Sequence, residues 1–292
     1  MPLRFRRKNR LQQVRKLVIM KQKAEKEGKD MAKNIDISVA GRIDALNNKE
    51  RRYTVEGKEF KRGNSWIYCH RAFSACAGKK LNDRNYDDLA LQLAFYLASW
   101  GMYRGSSFLL NMDYKIHIQP VKMMMEKQYR RLFACGNPFA DEETAQAYKK
   151  LLFDPETGIY RRIEEFYIKA HRAFANDQER SNESDTLLTK ILLGVYGCIP
   201  AYDRYFRKGM CLFNRPQFLN QTGGALFHEK RGLGRLLAEG ALKEQLENYC
   251  RTHEEYTFMK VVDMYFFSLG VAVEEEKADI DTMQSHIKEQ YA

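Results

Sequence analysis

The sequence predicts an all-α protein, and three observations lead to that fold class. Apolar residues recur at helical spacing in most windows from Asn85 onward. Only the turn-rich segment around Gly57 has the pattern of a small β-hairpin. Hydrophobic residues make up 44% of the 292 residues, which is enough to bury a large core and excludes disorder of the whole chain. We therefore expect a helical body, with two interleaved lobes as an alternative arrangement.

The net charge of +11 is concentrated in the first 33 residues. This segment holds twelve lysines and arginines against Glu25, Glu27 and Asp30, a net charge of +9, so only +2 remains for residues 34–292. Such a block is typical of an arm that follows a phosphate backbone, although a solubilising, partly disordered terminus explains the charge equally well. We therefore divide the chain into a basic arm, residues 1–33, and a helical domain, residues 34–292. The candidate DNA-backbone contacts in the arm are Arg4, Arg6, Arg7, Lys8 and Arg10.

Cysteine and histidine spacing argues against disulfides and metal sites. The six cysteines include no CxxC pair, and no signal-peptide-like apolar run precedes them, which indicates a reduced, cytoplasmic protein. The six histidines show no metal-ligand spacing, so we expect neither a metal nor another cofactor. No window approaches the run of about 20 apolar residues that a membrane helix needs, so we expect no membrane partner.

In the first half of the chain, the clearest predicted element is a helix followed by a tight elbow. Short helices are expected at 34–48 and 65–77. From Asn85 a stronger helical face runs through Leu93 and Leu97 into an elbow rich in small residues, 99–107. A second apolar run at 108–110 is expected to start another helix. The helices expected further along, each from its apolar period, are 116–133, 142–153, 156–175, 235–250, 256–273 and 274–290.

The stretch from Asn182 to Phe206 is the centre of the prediction. Its apolar residues share one helical face, with Lys190 at the edge of that face, and glycines and Pro200 end the helix. If Pro200 opens the next helix, Asp203 lies in its first turn, where the helix dipole favours the ionised carboxylate. A fixed, desolvated carboxylate at Asp203 is the expected result.

This arrangement resembles the helix-hairpin-helix DNA glycosylase superfamily in order and spacing. The similarity covers residues 88–206, and its sharpest match is Thr189-Lys190, then an apolar helix, then the IPAYD segment at 199–203. In place of the glycine-rich hairpin of that superfamily, this chain has NESD at 182–185. The same block also resembles one in a widespread group of uncharacterised bacterial proteins, which implies no function.

The resemblance implies an enzyme that cleaves the N-glycosidic bond of a damaged or modified base turned out of double-stranded DNA. Asp203 would be its catalytic carboxylate, and Lys190 the lysine that forms a Schiff base with the sugar. Excision of unusual bases in foreign DNA, as in antiphage defence, is one variant.

A base-flipping enzyme also needs aromatic walls for the base, a wedge that fills the gap, and cations that contact the DNA backbone. The candidates for the base pocket or wedge are Trp100, Met102, Tyr103, Tyr202 and Tyr205. The candidates for the DNA backbone are Arg104, Arg204, Arg207 and Lys208.

Each candidate also has a purely structural interpretation. Asp203 could serve only as a carboxylate at the start of a helix, and Lys190 could be solvated or snorkelling. The Trp100 elbow could be a site of simple helix packing. Asp263 lies in an aromatic helix and could pair with Lys260 or Arg251. A non-catalytic nucleic-acid-binding module and a helical protein-interaction scaffold are the competing functions.

Overall fold

The computed structural model describes residues 35–49, 53–56, 58–105, 107–134, 136–175, 183–213 and 223–291. Within them the protein is mostly helical, which confirms the all-α fold class. The basic arm at 1–33, with Arg4, Arg6, Arg7, Lys8 and Arg10, lies outside the described residues. None of the helices in these ranges is both long and apolar enough to cross a membrane.

Thirteen α-helices and one hairpin are numbered here in chain order within the described residues. The helices are α1 Val39–Lys49, α2 Asn64–Cys76, α3 Asp83–Ser99, α4 Ile118–Met124, α5 Glu142–Phe153, α6 Ile159–Ala175, α7 Asp185–Tyr196, α8 Arg204–Cys211, α9 Gly223–Leu226, α10 Leu233–Leu237, α11 Ala241–Thr252, α12 Phe258–Glu274 and α13 Ile280–Tyr291. The antiparallel strands are β1 Tyr53–Val55 and β2 Lys58–Phe60, with Thr54 opposite Glu59, so the predicted hairpin is confirmed.

Three of the predicted helices are wrong as continuous elements. The one at 235–250 is divided between α10 and α11 at Gly240, which has a φ of +92°. The run at 108–110 forms only a 3₁₀ turn, Phe108–Asn111, because Asp113 starts a new turn by accepting a hydrogen bond from the Lys115 amide at 2.8 Å. The predicted helix 116–133 is divided into a 3₁₀ turn, α4 and a second 3₁₀ segment, Lys127–Phe133. The chain turns at Glu126, whose carboxylate binds Arg162 of α6 through contacts of 2.7 and 2.8 Å.

Helix α7 lies in the core and is surrounded on all sides. Every residue from Leu187 to Tyr196 is buried, which is typical of a central helix rather than an amphipathic surface helix. Helix α3 crosses it closely at Gly194, where an added Cβ would lie 2.5 Å from Cε1 of Tyr96. Residues of α7 are therefore held rigidly against α3 and the elbow that follows it.

Helices α8 and α12 pack backbone against backbone. A Cβ added at Gly209 of α8 would lie 2.0 Å from the carbonyl oxygen of Phe266, and one added at Gly270 of α12 would lie 2.0 Å from that of Tyr205. Only glycine permits this approach. The crossing brings the N-terminus of α8 against a largely buried α12.

Candidate functional site

The segment 197–203, between α7 and α8, is irregular but held firmly by side chains. The amide of Ala201 donates to Oδ1 of Asp263 at 3.0 Å, and the amide of Tyr202 donates to Oγ1 of Thr189 at 2.9 Å. These bonds satisfy buried backbone groups that have no helical partner. The segment therefore delivers Asp203 to a fixed position.

Asp203 is the N-cap residue of α8. The helix begins at Arg204, so Pro200 does not open it. Asp203 therefore lies immediately before the first turn, whereas the prediction placed it within that turn. Oδ1 of Asp203 accepts a hydrogen bond from the Phe206 amide at 3.0 Å. Oδ2 lies 3.6 Å from Nζ of Lys190. One carboxylate oxygen is thus used for capping, while the other points towards the lysine.

Lys190 connects Asp203 with the Trp100 elbow. Its side chain is only 9% exposed, so it is neither solvated nor snorkelling. Nζ donates to the carbonyl oxygen of Trp100 at 3.2 Å. The elbow itself is a Schellman-type helix end, in which Met102 N bonds Leu97 O at 2.9 Å and Gly101 has a φ of +77°.

Burial shifts the pKa of both charged groups. It raises the pKa of Asp203, and the charge of Lys190 together with the Phe206 amide opposes that rise. It also lowers the pKa of Lys190, against the charge of Asp203. Asp203 is therefore more basic than an exposed aspartate, and Lys190 loses its proton more readily than an exposed lysine. Such shifts are typical of functional sites.

A second buried ion pair lies beside the first. Nζ of Lys260 lies 2.7 Å from Oδ2 of Asp263, and their side chains are 7% and 9% exposed. This confirms the pairing with Lys260 rather than Arg251. The same ammonium lies 5.7 Å from the ring centroid of Trp66 and 5.3 Å from that of Trp100. The Lys-x-x-Asp spacing on an apolar helix indicates a buried pair, but the position of that pair beside Asp203 was not predicted.

The two ion pairs lie at one cavity of about 520 Å³, which Asp203, Lys190, Trp100 and Lys260 all line. A second, small cavity of about 30 Å³ shares these four lining residues and is also lined by Asp263. The catalytic candidate and the elbow therefore face the same hollow. Exposed or half-exposed cations line its outer part, where Glu275 is the exposed acid among the described lining residues. These cations are Lys49, Lys61, Arg62 and Arg104.

Trp100 forms a fixed wall of the cavity. Its indole nitrogen donates to Oγ of Ser65 at 3.2 Å, and the Arg62 guanidinium carbon lies 4.6 Å from the ring centroid. Phe267 packs edge-on against it at 6.4 Å. Tyr205 also lines the cavity, and its hydroxyl donates to Oε1 of Glu275 at 2.7 Å. Phe267 was not predicted at the cavity, because helical periodicity does not distinguish a core aromatic from one that lines a cavity.

Three residues predicted for the base pocket or wedge lie outside the cavity lining. Met102 is partly buried against the core. The Tyr103 hydroxyl is instead within 2.6 Å of Nε2 of the buried His117. Tyr202 is fully buried and stacks on Phe206 at 5.6 Å. None of the three therefore forms part of the cavity wall, and Tyr202 has no exposed surface to offer a base. A wedge role for the partly buried Met102 and Tyr103 stays a prediction.

The predicted backbone contacts also divide. Arg104 lines the cavity, beside Gly101. Arg207 is wrong as a surface contact, because its side chain is 14% exposed and pairs with Asp185 at 2.9 Å. Arg204 and Lys208 both form ion pairs with Glu274 and keep 67% and 38% of their side chains exposed. Contact of these two residues with DNA stays a prediction.

The described residues contain no group of three or more histidine, cysteine, aspartate or glutamate side chains that could hold a metal ion. No family model, curated protein or solved structure matches this chain. Its function is therefore inferred from the geometry of the site.

Proposed function

We propose that this protein is a DNA glycosylase that releases a damaged or modified base turned out of the double helix. One observation carries the proposal: Asp203 and Trp100 line the same cavity, with Lys190 between them. The order of helix, elbow and lysine-bearing helix supports the proposed relation to the helix-hairpin-helix superfamily. A DNA substrate agrees with the cytoplasmic location expected from the cysteines.

The chemistry suits a buried carboxylate. Cleavage of the N-glycosidic bond moves the bonding electrons to the base nitrogen and leaves positive charge on the sugar. Asp203 stabilises that charge and accepts a proton from the water that attacks C1′. The Phe206 amide and Lys190 hold the carboxylate in place during this step. In the alternative route, neutral Lys190, whose pKa is lowered by burial, attacks C1′ in place of water. The Nζ–C1′ bond then forms as the bond to the base breaks, a proton passes from Nζ to Asp203, and opening of the sugar ring gives the Schiff base.

The surroundings favour a nucleic acid and an enlarged base. Four cations line the outer cavity, where DNA phosphates would lie. The volume of about 520 Å³ falls within the range of about 300–1,000 Å³ that encloses drug-sized ligands, which are larger than an unmodified base. A base carrying an added group fits this space, which supports the variant of excision from modified foreign DNA.

The test is formation of abasic sites in genomic DNAs that differ in base modification. We expect alkali-labile sites in at least one modified DNA and a loss of about 100-fold or more in rate for Asp203→Asn, since a carboxylate acting on the transition state contributes on that scale. The matched control is Asp141→Asn. Asp141 caps α5 through a 2.7 Å bond from Thr144 N but does not line the cavity. If Asp203→Asn kept full activity, or if both variants lost it equally, the enzyme assignment would be wrong.

The charge of the arm favours a second candidate, a non-catalytic nucleic-acid-binding protein. With a net charge of +9, residues 1–33 would supply most of the affinity. Binding would then fall steeply with salt, deletion of residues 1–33 would remove most of it, and Asp203→Asn would change nothing. Filter binding of these two variants over a salt series, together with the abasic-site assay, separates the two functions.

A further inference from the structure

The C-terminal half of α3 leaves an apolar strip exposed beside the cavity. Leu91, Phe95 and Ala98 recur at the i, i+4 and i+7 positions of one helical face, and Leu91 and Phe95 are 50% and 59% exposed. Ala98 and Ser99 line the cavity. Because Ala98 is three residues from Phe95, the Phe95 side chain lies about one helical turn from the cavity edge.

A base that leaves the double helix opens a gap in the stack, and an apolar side chain commonly fills such a gap. Trp100, predicted as this wedge, is unsuitable because Ser65, Arg62 and Phe267 hold its ring as a wall of the cavity. Five other large apolar side chains are exposed in the described residues. Four of them lie on elements that contribute nothing to the cavity lining: Val55, Leu110, Phe174 and Ile280. The fifth, Tyr68, lies on α2 and does not line the cavity.

We infer that Phe95 enters duplex DNA and fills the space of the extruded base. The inference rests on the proposed function, because only base extrusion creates the gap. Phe95 lies on a regular helix, so its position is fixed before DNA binds. Arg62 and Arg104 line the neighbouring cavity and are exposed, which places cations where the backbone flanks the gap.

The test is equilibrium binding of the full chain to three oligonucleotides. One is a duplex with a single tetrahydrofuran abasic-site analogue, the second is the intact duplex, and the third is the single strand. We expect the wild type to prefer the abasic-analogue duplex over the intact duplex by about 10-fold, because the gap accepts an aromatic ring without the cost of extruding a base. Phe95→Ala should lower that preference towards unity and leave single-strand affinity unchanged.

Phe174→Ala is the matched control, since Phe174 is an aromatic residue of similar exposure on α6, away from the cavity. It should keep the wild-type preference, and Phe95→Tyr should keep most of it. No preference in the wild type, or an undiminished preference in Phe95→Ala, would overturn the inference. Equal loss of affinity for all three oligonucleotides would also overturn it, since that indicates general DNA contact.

The outcome of this test is distinguishable from that of the abasic-site assay. A preference that depends on Phe95, without base release from any modified DNA, would leave Phe95 as the gap-filling residue and remove the glycosylase. Base release from duplex DNA that does not need Phe95 would support the glycosylase and remove Phe95 as the gap-filling residue.

Discussion

Nζ of Lys190 lies 3.6 Å from Oδ2 of Asp203. This distance is short enough for an ion pair but longer than that of a charged hydrogen bond. Both side chains are more than four-fifths buried, yet both reach the cavity. The lysine therefore tunes the carboxylate without saturating it. Oδ2 remains available to a substrate or a water molecule.

Lys190→Met should shift the acid limb of the pH–rate profile to higher pH. Burial raises the pKa of Asp203, and Lys190 is the largest opposing influence, so removing its charge lets that pKa rise further. The ionised carboxylate then forms only at higher pH. Single-turnover base release measured across a pH series gives the midpoint.

Lys169→Met on α6 is the control for this prediction, because Lys169 is exposed and does not line the cavity. Its profile should match the wild type. An acid limb that stays in place in Lys190→Met would show that Asp203 is not the group that titrates. If Lys190 also acts as a nucleophile, borohydride trapping of a covalent DNA adduct should disappear with it.

Asp263→Ala should destabilise the fold by about 3–5 kcal/mol, because it leaves the buried Lys260 charge unpaired. It also removes the acceptor for the Ala201 amide, which lies 3.0 Å from Oδ1. Urea unfolding followed by circular dichroism gives the free-energy change. The double variant Lys260→Met with Asp263→Asn keeps an acceptor and removes both charges, so it should cost less than Asp263→Ala alone. Equal losses of unfolding free energy in the two proteins would mean that the unpaired Lys260 charge is not the cause of the destabilisation.

Gly270→Ala should lower both stability and activity. Its Cβ would lie 2.0 Å from the carbonyl oxygen of Tyr205, so α8 must move away from α12 and carry Asp203 with it. We expect a stability loss at the upper end of about 1–3 kcal/mol, the usual range for overpacking. Gly224→Ala is the control, because its nearest contact would be 3.6 Å, an ordinary distance. Thermal unfolding and base release should both separate the two variants, and a neutral Gly270→Ala would contradict the crossing geometry.

Local patterns predicted the fold class, the hairpin and one buried face of α7, because each depends on residues near one another in sequence. The burial of all sides of α7, Lys190 included, depends on helices far away in sequence and was not predicted. The position of Asp203 at the start of a helix was also within reach, since proline and glycine signals are local. The shared cavity was not, because Trp100 and Asp203 lie about a hundred residues apart and meet only through the close crossings at Gly194 and Gly270. For the same reason, an aromatic such as Tyr202 could not be assigned to core or cavity from its spacing.

The stability of the whole fold should decrease as the pH is lowered, because of His117. This residue is fully buried between two tyrosines, with Nε2 2.6 Å from the Tyr103 hydroxyl and Nδ1 2.6 Å from the Tyr167 hydroxyl. Burial lowers the pKa of His117 from 6.5 to about 3. Between those values the unfolded chain binds a proton that the folded chain does not, so stability is lost as pH falls through this window.

The expected contribution is about 2 kcal/mol between pH 7 and pH 5, from about 1.4 kcal/mol per pH unit below the unfolded pKa. Urea unfolding at the two pH values should show that His117→Gln loses less stability on acidification than the wild type, by about that amount. If His117→Gln and the wild type changed in parallel, the imidazole would have to be protonated in the folded state, and both ring nitrogens would then donate, so the hydroxyls of Tyr103 and Tyr167 would both have to accept.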